Sequence, residues 1–262
     1  MIEPPDPATA RELARLYDLD LREDPGDLDL YRALADRADG PILELAAGTG
    51  RLAIPLAGAG HVVTAVDIDA AMIARARQRA TDENVDDARL ELVEADLLAM
   101  PVPDLPRHAL AFIALNSIML LASRAEQRTA IRALADHLRP GGIAAVDAWL
   151  PDADDLARFD GRIFHEWIRE DPSTGGLVTK SGSAIHDATT GTLVLTAVFE
   201  EAAQGEAPRR WIRQDRLRLI SPDELTAFAE DAGLTVELVA GGYDLTPLGP
   251  GSERAVLIAE RA

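Results

Sequence analysis

Three carboxylates and a pair of glycines carry the clearest chemical signal in the sequence. Glu44 lies inside the apolar run Ile42 to Leu45, four residues before Gly48-Thr49-Gly50. Asp67 closes the run VVTAVD, and Asp96 closes LELVEAD. A buried strand that runs straight into Gly-Thr-Gly and then a helix lets a ligand approach the backbone closely. An acid at the end of the next strand can accept both ribose hydroxyl protons, which a nicotinamide dinucleotide would also use. Glu44 and Asp96 do not belong to the dinucleotide pattern. Each acid also has a structural reading: Glu44 as a strand carboxylate bonding the amides of the glycine loop, Asp67 and Asp96 as caps of the helices that follow them.

Positioning these groups requires alternating strands and helices, and the sequence supplies them. Between Pro41 and Trp149, apolar runs (PILELA, HVVTAVD, RLELVEAD, ALAFIALN, GIAAVDAW) alternate with helical periodicity starting at Arg51, Asp69 and Ser123. That alternation predicts a parallel sheet with helices on both faces. The helix from Ser123 is expected to stop at LRPGG, with Arg139 in its last turn. Thr9 to Tyr17 and Leu28 to Ala38 read as short amphipathic helices. From Phe159 to Ile220 the composition shifts, and three segments, LVTKSGSAIHD, TLVLTAVFEEA and RRWIRQDRLRLI, read as antiparallel strands joined by glycine-containing turns. SPDELTAFAEDAG is a capped helix, and LTVELVAGGY and ERAVLIAE form a closing strand pair. The expectation is one domain over residues 1–262 with a small β insertion at 159–220.

Composition narrows the partners. Acidic residues outnumber basic ones by 45 to 26, a formal net charge of -19, and a duplex nucleic-acid binder would work against that field. The absence of cysteine excludes disulfides, thiolate nucleophiles and thiolate-bound zinc, and the 5 histidines form no metal-ligand spacing. The acidic start lacks the basic flank and apolar run of a signal peptide, and no apolar run reaches the ~18 residues of a membrane span. A cytoplasmic protein with no metal, no nucleic acid and no membrane partner is expected.

Glu44 through Gly50, Asp67, Asp96, the Asn116-Ser117 pair after strand four and the LRPGG run before strand five resemble the class I S-adenosylmethionine-dependent methyltransferases. The resemblance is close from Pro41 to Trp149. More loosely, the N-terminal YDL and DLYRALA segments and the closing hairpin resemble small-molecule members, including aminosugar N-methyltransferases. It implies an α/β, Rossmann-like seven-stranded sheet of order 3-2-1-4-5-7-6, last strand antiparallel, with S-adenosylmethionine as cofactor. Its sulfonium and ammonium suit a site with several acids and open carbonyls; a pyrophosphate prefers helix N-terminal amides and few carboxylates. By resemblance, Ala46, Gly48 and Gly50 pack against the methionine part with Glu44 among the cofactor residues. Asp67 holds the ribose, Ile68 lies on the adenine face, and Asp96 with Leu97 reads the adenine edge. Asn116 lines the methionine end and the acceptor, and Tyr17 and Arg51 are candidates for the cofactor carboxylate.

Methyl transfer from a sulfonium is an in-line displacement that needs alignment and, for a hydroxyl acceptor, a base. Strand four ends in Leu115-Asn116-Ser117-Ile118, not in the Asn/Asp-Pro-Pro-aromatic sequence of DNA base methyltransferases. A small metabolite methylated at N or O is therefore the expected acceptor. The insertion would form a β layer over the acceptor pocket and a surface for pairing two copies as a homodimer. Trp149 and Tyr243 are the candidate pocket residues, and His165 is the candidate base, with Glu166 pointing to the opposite face if RIFHEWIRE is a strand. An ordinary core role for Trp149 and a surface role for His165 are the plain alternatives. Two other functions stay open. An NAD(P)-dependent oxidoreductase needs only the glycine loop and Asp67, with Ala53 at the third glycine position, but no YxxxK pair is present. A non-catalytic S-adenosylmethionine-binding protein would keep the same loop.

Overall fold

Seven of the apolar runs build one sheet. Its strands are β1 Ile42–Leu45, β2 Val63–Asp67, β3 Leu90–Glu94, β4 His108–Ile113, β5 Leu138–Trp149, and, from the closing pair, β10 Leu234–Ala240 and β11 Arg254–Arg261. The order is β3-β2-β1-β4-β5-β11-β10, with β1 to β5 parallel and β11 antiparallel to both neighbours. This is the expected order, reversed last strand included. Every residue of β1 and β4 is buried. Both faces of these central strands are covered, so they read as continuous apolar runs without alternation.

The computed structural model describes residues 5–101, 107–202, 205 and 207–262, so the first four residues of the acidic start lie outside it. The chain divides into two units, one of Asp24–Leu150 and Ile220–Ala262, the other of Met1–Glu23 and Pro151–Leu219. The first contains the sheet and helices α2 Leu28–Ala38, α3 Ala53–Gly58, α4 Ala70–Asp82, α5 Arg124–His137 and α7 Pro222–Asp231. Alternate strand residues, among them Ile42, Leu110, Phe112, Ile143 and Val256, pack with Tyr31, Leu34, Leu52 and Leu56 from α2, α3 and the loop before α3. Helix ends follow their caps: Asp69 accepts the amides of Ala71 and Met72, and Ser123 with Glu126 and Ser221 with Glu224 close capping boxes.

The second unit holds α1 Pro7–Asp20, α6 Ala153–Arg158 and an antiparallel sheet, β6 Asp160–Glu170, β7 Leu177–Asp187, β8 Thr192–Ala202 and β9 Arg209–Arg218. Leu13, Leu16 and Leu19 of α1 pack on Val178 and Phe199, flanked by Trp167 and Trp211. Arg169 donates to the carbonyls of Leu19 and Asp20, placing a cation at the C-terminal end of α1. Register puts Ile163, Ile168, Leu177, Ile185 and Ile212 on the opposite face, where all are exposed.

Several local expectations need correction. The insertion has four strands, not three: β6 is mostly exposed on both faces and so lacks the alternation that marks a half-buried strand. α1 runs beyond Thr9 to Tyr17 because Asp6 caps it and Pro7 starts it. The helix expected from Arg51 begins at Ala53. Arg139 is not in a helical turn: β5 begins at Leu138, and Arg139 reaches the carbonyls of Ala38 and Asp39.

Candidate functional site

The C-terminal ends of β1, β2 and β3 carry the predicted loops. After Leu45 the chain turns through Ala46, whose φ of 58° is left-handed, and then through Gly48 and Gly50 at 56° and 76°. A Cβ on Gly50 would stand 2.9 Å from Ile54 Cδ1, so this position takes glycine on both conformational and packing grounds. The Ala47 amide donates to the Val66 carbonyl (3.0 Å), that of Gly50 to the Ala47 carbonyl (3.0 Å), and that of Gly48 to Asp67 Oδ2 (2.7 Å). These amides are spent within the chain. A pyrophosphate, which binds through such amides, would have to displace them.

Asp67 is fixed from two sides, since Oδ1 also accepts the Asp69 amide at 2.8 Å. Asp69, not Asp67, caps α4. Asp96 holds its own turn, accepting the Leu98 amide at 2.9 Å. Glu44 lies beneath the loop at 3% exposure, and its Oε2 has no hydrogen-bond partner among the described residues. Burial pushes its carboxyl up to about 8; the charge of Arg51 and the Ala53 amide oppose the shift, and the negative charges of Asp27 and Asp67 add to it.

A cleft of about 370 Å³ opens along this edge. Ala46, Asp67, Ile68, Asp96 and Leu97 line it, together with Val66, Ala95, Leu98, Ser117, Leu120, Leu121, Ala122 and Glu126. Ile68 and Leu120 are large apolar side chains left 69% and 44% exposed, an arrangement that suits a flat ring between apolar surfaces. Sequence reasoning singled out Ser117 but missed the wall from Leu120 to Glu126; its only signal there is the apolar stretch between Ser117 and the Ser123 cap.

The remaining predicted residues divide between the two units. Arg51 belongs to the sheet unit, where both its terminal nitrogens bind the buried Asp27 at 2.6 Å. Asn116 adjoins the cleft residue Ser117 and has φ 64°. Trp149, half-buried, ends β5. Tyr243, from the loop between β10 and β11, donates to Asp147 at 3.0 Å. Asp147, which sequence reasoning did not single out, is fully buried at the end of β5. Burial pushes its carboxyl up, and the Arg254 guanidinium is the largest opposing influence. Tyr17 and His165 belong to the other unit: the Tyr17 ring carries the Arg213 guanidinium at 5.3 Å, and His165 is exposed on β6. Arg213 binds Asp215.

Glu44 with an unpartnered buried oxygen, Asp67 and Asp96 on the cleft edge and the exposed Ile68 and Leu120 together fit a cationic nucleoside. No group of acidic or histidine side chains that could hold a metal occurs among the described residues.

Residues 42–142 match the family model of a methyltransferase domain. The chain is 27% identical over 228 residues to a cypemycin N-terminal methyltransferase of Streptomyces sp, covering 84% of this chain and 82% of the relative. Among solved structures it is similar to an S-adenosylmethionine-dependent methyltransferase from Clostridium acetobutylicum, with a TM-score of 0.78, 17% identity and coverage of 96% and 98% of the two chains. It is also similar to a sugar N-methyltransferase from Streptoalloteichus sp, with a TM-score of 0.73, 21% identity and coverage of 94% and 92%.

Proposed function

We propose that this chain, an S-adenosylmethionine-dependent methyltransferase of the class I fold, methylates a nitrogen of a small metabolite. The observation that carries the reading is the acid-edged cleft with apolar walls, whose glycine-loop amides are already bonded within the chain. When bound, S-adenosylmethionine supplies a methyl group on a positively charged sulfur, electrophilic without further activation. The chain's own residues then bind and align. Asp67, held by the Gly48 and Asp69 amides, accepts the ribose hydroxyls. Ile68 and Leu120 flank the base, Asp96 and Leu97 read its edge, and Glu44 and the Ala46 to Gly50 carbonyls face the cationic end. Asn116 borders the donor methyl, with Trp149 and Tyr243 on the acceptor side. Arg51 is proposed for the cofactor carboxylate.

A neutral amine needs no base in the displacement, whereas a hydroxyl does. Nitrogen is favoured because the cypemycin N-terminal methyltransferase and the sugar N-methyltransferase to which the chain is similar act on nitrogen. His165 is the base proposed for a hydroxyl acceptor; loss of activity on phenols but not amines in His165→Ala would support that assignment. The exposed apolar face of the β6 to β9 sheet supports pairing of two copies, which light scattering would detect. No helix among the described residues is long and apolar enough to cross a membrane.

Calorimetry is the first test: binding of S-adenosylmethionine and its demethylated product is expected, without comparable binding of NADH. The opposite preference would refute the reading. Asp67→Ala should weaken cofactor binding by ~1–3 kcal/mol through the lost acceptor. A radiolabel-transfer screen over amines, sugars and phenols would then identify the acceptor; transfer to phenols alone would refute the nitrogen assignment.

A further inference from the structure

We infer that Asp147 is a positioning residue for the transfer step, fixing the left-handed turn at Leu115 and Asn116 that bounds the methionine end of the cleft. The inference deepens the methyltransferase reading above and rests on it.

The register of the sheet places Asp147 beside this turn. Ile113, the last residue of β4, pairs with Val146 of β5, so Asp147 stands one step beyond the paired ends. Leu115 and Asn116 have φ values of 50° and 64°, two consecutive non-glycine residues in a region that L side chains rarely adopt. Such strain persists only where the surroundings over-determine it, and it gathers at functional sites. Here one carboxylate supplies the determination. Oδ2 of Asp147 accepts the Leu115 amide and the Tyr31 hydroxyl, each at 2.9 Å. Oδ1 accepts the Asn116 amide at 3.3 Å, the Tyr243 hydroxyl at 3.0 Å and Arg254 Nη1 at 2.9 Å. The same Arg254 nitrogen donates to Asn116 Oδ1 at 3.3 Å, and the guanidinium lies 4.3 Å over the Tyr243 ring.

Asn116 is thus held through its backbone by Asp147 and through its side chain by Arg254. The donors come from α2, the turn after β4, the loop between β10 and β11, and β11 itself. A buried ion pair of this kind contributes little stability beyond what apolar packing would give. What it does provide is a fixed geometry for the turn, and Ser117, the next residue, lines the cleft. In strand order β1 and β2 lie between β3, which Asp96 follows, and β4, which Ser117 follows, and both residues line the cleft. A ligand with its nucleoside at Asp67, Ile68 and Asp96 directs its other end toward the turn that Asp147 holds. Asp147 has no role as a base: its oxygens already accept five donors, and its action on the ligand passes through Asn116.

Asp147→Asn isolates this role. Oriented with its oxygen at the Oδ1 position, the asparagine places an NH2 group at the Oδ2 position. Tyr31 can reverse its hydroxyl and accept from it, but the Leu115 amide cannot, and the turn loses its first tie. Calorimetry on the full chain would compare S-adenosylmethionine with 5′-methylthioadenosine, which keeps the adenosine half and lacks the amino-acid half. The expected result is a loss of about tenfold or more for S-adenosylmethionine, the scale of one charge-assisted hydrogen bond, with 5′-methylthioadenosine changed less than about twofold. Equal losses for both ligands, or no loss for either, would overturn the inference. If Asp147→Asn does not fold, Tyr243→Phe decides, because it removes one tie from a half-buried loop residue. The same selective loss, a few-fold in size, supports the role, and unchanged affinity for both ligands removes it. Failure of the unsubstituted chain to bind either ligand would instead refute the methyltransferase reading itself, and with it this inference.

Discussion

Replacing Glu44 with glutamine tests whether the acid beneath the glycine loop keeps its proton when no cation faces it. The carboxyl is buried, one oxygen has no partner, and its pKa is pushed from 4.5 to about 8. In the unfolded chain the group ionises near its ordinary value, so between about pH 4.5 and 8 the folded state binds more protons than the unfolded state. The sign follows: stability associated with Glu44 is fully present below the unfolded value and is lost progressively as pH rises through 8. At 1.36 kcal/mol per unit, the loss from about pH 5 to 8 comes to ~3 kcal/mol. A glutamine at this position never ionises and loses nothing. The assay is the melting temperature of both proteins at intervals across that range without cofactor. At ~2–4 °C per kcal/mol for a unit of this size, the advantage of Glu44→Gln should grow by about 6–12 °C from the acidic to the alkaline end. Parallel curves would refute the reasoning, because they would mean that Glu44 is ionised and compensated in the empty site. Saturating S-adenosylmethionine should narrow the gap, since a nearby cation favours the charged form.

Further predictions concern groups that hold the two units in shape. Arg51→Met strands Asp27, which is fully buried and bonded by both guanidinium nitrogens, and should cost about 3–5 kcal/mol in chemical denaturation; a cost below ~1 kcal/mol would show that Asp27 recruits another partner or water. Gly50→Ala forces a left-handed alanine against Ile54 and should cost more than ~1 kcal/mol, with weaker cofactor binding; an unchanged melting temperature would mean that the loop adopts another conformation. Arg15→Met removes the cation shared by Glu12, Asp171 and Glu201 and should destabilise the unit of α1 and β6 to β9 by ~3 kcal/mol. Adding Glu201→Gln should recover part of that loss in a double-mutant cycle, and strict additivity would show that the two do not interact.

The sheet and the clustering of Ala46, Asp67, Ile68, Asp96 and Leu97 along one cleft were legible in the sequence because their signals are local. β1 and β4 are unbroken apolar runs, the glycines sit close behind the strand end, and Asp67 and Asp96 close their own strands. The other features depend on distant partners. Asp147 reads as an ordinary polar residue within GIAAVDAW; what distinguishes it is the convergence of Tyr31, Asn116, Tyr243 and Arg254 from separate elements. Asp27, in an acidic turn that looks solvated, is fully buried because Arg51 folds back onto it. β6 escaped the strand count for the opposite reason, being too exposed for burial to impose a period on its sequence.

Hydrogen-bond capacity separates the acids of the sheet unit by what they can do. An ionised carboxylate offers about four acceptor directions. Asp147 takes five donors, more than that capacity, and has nothing left to offer a ligand. Asp96 receives the Leu98 amide on Oδ1 and borders the cleft, so a chain amide orients it, and the proposed function assigns Oδ2 to the ligand. Glu44 has a buried oxygen without a partner among the described residues, and burial favours its protonated form. The net charge of -19 does not make all these acids equivalent. Under the proposed function, a saturated acid sets backbone geometry, an oriented acid on the cleft edge is the one offered to the ligand, and a buried acid with an unmet oxygen couples ligand charge to pH. Substitutions should sort in the same way: Asp147→Asn by ligand selectivity, Asp96→Asn by nucleoside affinity, and Glu44→Gln by the pH dependence of stability.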